Sequence, residues 1–136
     1  MQLPVQEVSA TLLRTAGKGV SVTRPSAGGS CSYRDREQGP PDVQALLELV
    51  DSGSDSASAE SLASVRRMFT ERGYALRDVS GVGAAAFGSW EGESYGPKLR
   101  KGRHAGQINI NARRPNDSGV ERAAQELARQ MVAKLP

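Results

Sequence analysis

The stretch DVSGVGAAAFGSW (78–90) holds Gly81, Gly83 and Ala86, so it spells G-x-G-x-x-A, one written form of the dinucleotide-binding fingerprint. Its reading decides the fold. A phosphate cradle of that kind needs a strand before the glycines, a helix springing from them and an acidic residue about 20 positions on. Here Gly88 follows Ala86 almost at once, with Gly92 and Gly96 beyond it, so no helix of useful length starts. At the distance where the carboxylate is required stand Arg103 and His104. The stretch reads as a glycine turn feeding a strand. Ala84, Ala85 and Ala86 allow close packing under a helix, and Phe87 anchors the core.

Working outward, three strands follow from this turn, over residues 85–90, 97–101 and 106–112. Lys101-Gly102 and the residues after it make a hairpin-like connection, and GQININ turns Ile108 and Ile110 inward with polar residues outward. A closing helix spans 119–134, capped by Asp117 or Ser118, with Val120, Ala124, Leu127 and Met131 on one face. Upstream, LPVQEVSATLLRTAGKG reads as an amphipathic helix, with Pro4 in its first turn and Gly17 as a left-handed stop. Val5, Val8, Leu12 and Leu13 recur along it at helical spacing. Short strands follow at 20–23 and 31–34, the latter placing Cys31 and Tyr33 on one face. VQALLELV (43–50) suits a helix segment or a buried strand, and its length and bounding breakers favour the strand. DSGSDSASAE (51–60) reads as a flexible polar insertion before a helix over 59–72, whose apolar stripe is Leu62, Val65, Met68 and Phe69. The expected fold is α+β: one domain over 1–136, an antiparallel sheet of five to six strands, and an N-terminal, a middle and a C-terminal helix packed on it.

Composition narrows the chemistry. With 136 residues the chain suits one ordinary core, and 18 basic against 15 acidic side chains give a net charge of +3. That is a mixed surface rather than a nucleic-acid footprint. One cysteine and one histidine leave no internal disulfide, no cysteine-rich metal site and no histidine cluster. No apolar run approaches the roughly 18 residues of a membrane-spanning helix. No cofactor and no metal are expected.

Candidate site residues gather in two places. KLRKGRHAG (98–106) concentrates charge in Lys98, Arg100, Lys101, Arg103 and His104, with Arg113 and Arg114 one strand later. It suits an anion, a lipid headgroup or an acidic partner; a solvated hairpin tip whose charges discourage edge pairing accounts for it more simply. Trp90 and Tyr95 flank a glycine-rich loop and, with Tyr33, either line a pocket or close the end of a core. Ser118 in NDSG echoes a protease loop but is better explained as a helix cap. Cys31 lacks a local activating base, and nothing in the spacing of Asp78, Glu91 and Glu93 selects a catalytic carboxylate pair.

The order of these patterns resembles small exported lipoproteins of actinobacteria, of domain-of-unknown-function type. The residues that carry the resemblance are LPVQEVSATLL…AGKGVSV, GGSCSY, DVSGVGAAAF, LRKGRHAGQINI and ERAAQELARQMVAKL. The resemblance covers the chain from Leu3 to Leu135. It implies an α+β sandwich of the PsbP or Mog1 type, held outside the membrane by a lipid anchor, with binding or accessory work and no attached catalytic set. The chain departs from that pattern in having no lipobox or signal peptide, so export implies a longer precursor. It also lacks the second cysteine, near residues 3–10, that would bridge to Cys31. The first expectation is therefore a non-enzymatic binding domain of the cell envelope, monomeric or homodimeric, using Tyr33, Trp90, Tyr95, Arg100, Lys101, Arg103 and His104 toward a small molecule, lipid headgroup or protein partner. The alternative is a small cofactor-free enzyme, of cyclase or isomerase type and cytoplasmic, with His104 as acid or base and Tyr33 or Tyr95 as donor.

Overall fold

The computed structural model describes residues 3–26, 29–112 and 117–135. Three helices, α1 (Val5–Ala16), α2 (Asp55–Glu71) and α3 (Asp117–Ala133), accompany β1 (Val22–Ser26), β2 (Ser30–Arg34), β3 (Val43–Asp51), β4 (Arg77–Asp78), β5 (Ala85–Glu91), β6 (Ser94–Lys101) and β7 (His104–Ala112). The strands form one antiparallel sheet in the order β1-β2-β3-β7-β6-β5-β4. It is built from two meanders, β1–β3 and β4–β7, sewn together where β3 pairs along its whole length with β7. Among the described residues no helix is long and apolar enough to cross a membrane.

The architecture is α+β as expected, but the sheet has seven strands rather than five or six. The extra strand, β4, is two exposed residues paired to Gly88 and Phe87, too short to leave a periodic pattern. The turn at 79–84 does feed β5. Gly83 holds φ +58°, and a Cβ there would stand 2.3 Å from the Arg100 carbonyl oxygen, so the bend packs directly on the end of β6. The Ala84 N–H donates to that same carbonyl at 2.9 Å. No helix springs from the bend, and the Val79 and Ala84 amides at its two ends serve the sheet.

Three boundaries shift for physical reasons. β1 starts at Val22 and runs through Pro25, which an edge strand tolerates because one side needs no ladder bond. β6 starts at Ser94 and runs through Pro97. Its pairing with β7 skips Gly96 and Pro97 and resumes in the same register at Lys98↔Gln107, as expected where proline supplies no N–H. Helix α2 starts at Asp55, capped by Ser54, whose Oγ accepts from the Ala57 N–H at 3.1 Å. Most of 51–60 is therefore the end of β3 and the opening of α2 rather than an insertion. Asp117 and Ser118 lie inside the first turn of α3, and Arg113 and Arg114 lie outside the described residues.

Side-chain alternation sends the two sheet faces to different helices. Val43, Ala45 and Leu47 of β3 join Ile108 and Ile110 of β7 and Leu99 of β6 under α1 and α3. Val8 and Leu12 point inward from α1, and Val120, Ala124, Leu127 and Met131 from α3, all of them buried. Leu13, by contrast, is 56% exposed. The inner stripe of α1 is instead completed by Thr11 and Thr15, with Thr11 Oγ1 accepting from Gln130 Nε2 at 2.9 Å across the helix pair. The opposite face carries α2 alone, over β5, β6 and β7.

Candidate functional site

Helix α2 crosses its face of the sheet because the chain must travel from β3, in the middle, to β4, at the edge. It is pinned at both ends. Near its start, buried Ser58 places its hydroxyl 2.5 Å from the Gly102 carbonyl, and Arg100 reaches the same hydroxyl at 3.3 Å. Near its end, Phe69 meets Phe87 at 6.3 Å between ring centroids, while Arg66 lies over the Phe87 ring and pairs with Asp78 at 2.7 Å. Between these anchors Leu62 and Val65 are only half-buried, and Met68 is 39% exposed. The apolar stripe of α2 is real, but nothing from the sheet fills the space before it.

That space is a cleft of about 410 Å³. Leu62, Val65, Met68 and Phe69 form its helix wall, and Val50, Ala105, Gln107 and Asn109 its sheet wall, with Lys98 and Glu91 at one end. Lys98 sits on β6 between Phe87 and Gln107, on the face that α2 covers. Its side chain is 8% exposed. The ammonium lies 3.6 Å from Glu91 Oε2 and 5.0 Å from the centroid of the Phe69 ring. Burial pulls its pKa below the usual 10.5, and Glu91 offsets part of the shift. Gly96 makes room for it: a Cβ there would meet Lys98 Nζ at 3.3 Å. Gln107 donates to Glu48 Oε1 at 3.2 Å beside the cleft. Ser89, opposite Gly96, is buried with no hydrogen-bond partner for its Oγ among the described residues.

The seven residues singled out from sequence do not converge. Tyr33 is fully buried on the α1 side, where its hydroxyl accepts from the Leu3 N–H at 3.0 Å and donates to the Leu3 carbonyl at 2.7 Å. Burial raises its pKa above 10.0, against the lowering effect of the bond to Leu3. Trp90 and Tyr95 do meet, 5.3 Å between centroids with their planes tilted by 53°, on the α3 side. There Trp90 donates to Glu121 at 2.7 Å, and Tyr95 accepts weakly from Gln125 at 3.4 Å. Burial likewise raises Tyr95 above 10.0. These two rings line a separate cleft of about 440 Å³ with Arg77 and Asp78, far along the sheet from Tyr33.

The basic residues divide between the faces. Arg100 turns toward α2, whereas Lys101 donates to the Val132 and Leu135 carbonyls, both at 3.2 Å, closing the C-terminus of α3. Arg103, in the hairpin loop, pairs with Asp51 at 2.7 Å, and His104 lies opposite Asp51 in the ladder. Each serves the hairpin or a helix end. Arg100 also lines a small cleft, with Leu62, Arg66 and Phe87, and Lys98, counted in the same basic stretch, enters the neighbouring one between α2 and the sheet. Its only sequence signal is alternation within β6, which separates it from Leu99 but names no covering surface. Cys31 is buried and unpaired, and among the described residues no three His, Cys, Asp or Glu side chains are placed to share a metal.

What the fold and the cleft define is a small α+β domain with a half-filled helix–sheet interface holding a buried amine. No family model matches the chain, and no curated protein or solved structure is significantly similar to it.

Proposed function

We propose that the domain is a non-enzymatic binding module, and that its ligand is a small amphipathic molecule received between α2 and the sheet. The observation that carries this reading is Lys98: a nearly buried ammonium, 3.6 Å from Glu91 and over the Phe69 ring, at the end of an open cleft with an apolar helix wall. A buried cation with spare donors is costly unless something else engages it. Val50 and Met68, two of the three large apolar side chains that stand exposed among the described residues, line the same cleft. A ligand with a polar head toward Lys98 and an apolar body along Leu62, Val65 and Met68 satisfies both features. A place in the actinobacterial cell envelope rests on the resemblance of the sequence patterns alone.

The test is amide chemical-shift mapping with a panel of lipids, glycans, peptides and short-chain amphiphiles. Binding here shifts Leu62, Val65, Gln107 and Asn109, and a Val65→Phe variant that fills the cleft abolishes the shifts. Shifts confined to Trp90, Tyr95 and Arg103 would instead place binding on the aromatic cleft and the hairpin tip.

A further inference from the structure

Resting on the cleft reading above, we infer that Lys98 captures neutral aldehydes or ketones as a reversible imine. The charges around the amine select against the obvious alternative. Among the described residues Lys98 is the only lysine or arginine lining the cleft, while Glu91 and Glu48 both line it. A ligand carboxylate would therefore meet net negative surroundings. A neutral carbonyl meets no such opposition, and its apolar remainder has Leu62, Val65 and Met68 to lie against.

The groups that imine chemistry requires are in place. Lys98 is fixed on a central strand of the sheet, so its amine approaches from one direction. Desolvation favours its uncharged, nucleophilic form. Glu91, 3.6 Å away, is the acceptor for the proton that the ammonium must give up. The freed nitrogen lone pair attacks the carbonyl carbon, a C–N bond forms, and the C=O π pair moves onto oxygen. That oxygen takes up the proton, the nitrogen passes a second proton to Glu91, and the resulting neutral carbinolamine receives it from Glu91 on its hydroxyl. The C–O bond then breaks and water leaves, so one ammonium and one carbonyl compound yield one protonated imine and one water. The charge that remains on nitrogen sits beside the Glu91 carboxylate and the Phe69 ring face, which stabilise the protonated imine as they stabilise the ammonium. Hydrolysis reverses every step.

The experiment treats the full chain with limiting hexanal and sodium cyanoborohydride and maps the reduced adducts by peptide mass spectrometry. Hexan-1-ol, the same shape without the carbonyl, serves as the parallel probe and is followed by amide shifts. The expected result is label on Lys98 ahead of Lys18, Lys101 and Lys134, lost when hexan-1-ol competes, and slowed in Glu91→Gln. If hexan-1-ol shifts Leu62, Val65, Gln107 and Asn109 but hexanal labels the other lysines first, carbonyl capture is overturned and the binding reading stands. If neither probe touches the cleft, both fall.

Discussion

The two faces of the sheet are covered by unlike means. Under α1 and α3, the inward apolar side chains of both helices meet those of β3, β6 and β7, and the hydroxyl of Tyr33 is satisfied twice by Leu3. Under α2, the helix is fastened by Ser58 at one end and Phe69 at the other, and the stretch between them holds a cleft and a buried lysine. The first face is where hydrophobic burial holds the fold. The second contributes less burial and retains the room and the charge that the proposed ligand would use. On the proposed reading, stability and binding fall on opposite sides of one sheet.

The contrast breaks most readily at the core. Leu127→Ala, on the sealed face, should cost about 2–5 kcal/mol of unfolding free energy, whereas Val65→Ala should cost about 1 kcal/mol or less. Equal losses in urea titrations would erase the distinction between the faces. Next in size, Tyr33→Phe strands the Leu3 N–H and carbonyl in a buried place and should cost about 1–3 kcal/mol, with faster amide exchange at Leu3. A variant as stable as the parent would release the N-terminal segment from any role in sealing that face.

A smaller effect sharpens the other face. Because the Lys98 pKa is lower folded than its value of 10.5 unfolded, the unfolded chain binds the extra proton between the two. Stability therefore rises as pH climbs through the folded pKa. Tyr33 and Tyr95, both held above 10.0, act in the opposite sense only once pH passes 10.0. On the alkaline limb just below that pH, denaturation profiles of the parent should slope upward and those of Lys98→Met should not; parallel profiles would place the amine in solvent. Smallest of all, Arg103→Ala removes a surface pair with Asp51, both partners about half exposed, and should leave the denaturation midpoint unmoved at physiological salt.

Much of the frame is legible in the chain because it rests on local rules. Ile108 and Ile110 alternate with polar neighbours and form the inner side of β7. Val120, Ala124, Leu127 and Met131 recur at helical spacing and face the core. The same rules mislead where a stripe has no matching surface. Leu62, Val65 and Met68 satisfy the helical period of α2 but stand over a cleft, and Leu13 satisfies that of α1 but points outward. The basic run around the β6–β7 hairpin looks like one patch in sequence, although β-pleating and the loop distribute Arg100, Lys101 and Arg103 among a helix start, a helix end and a surface pair.

By itself the sequence determined the α+β class, the glycine bend before β5 and the inward residues of β7. Each of those follows from backbone sterics or from a periodicity read within a few positions. Only the tertiary structure decided which helix covers which face, and with it that Lys98 is enclosed beside Glu91 and Phe69 while its neighbour Lys101 closes α3. Enclosure belongs to two surfaces brought together from distant parts of the chain, and no property of either surface alone contains it.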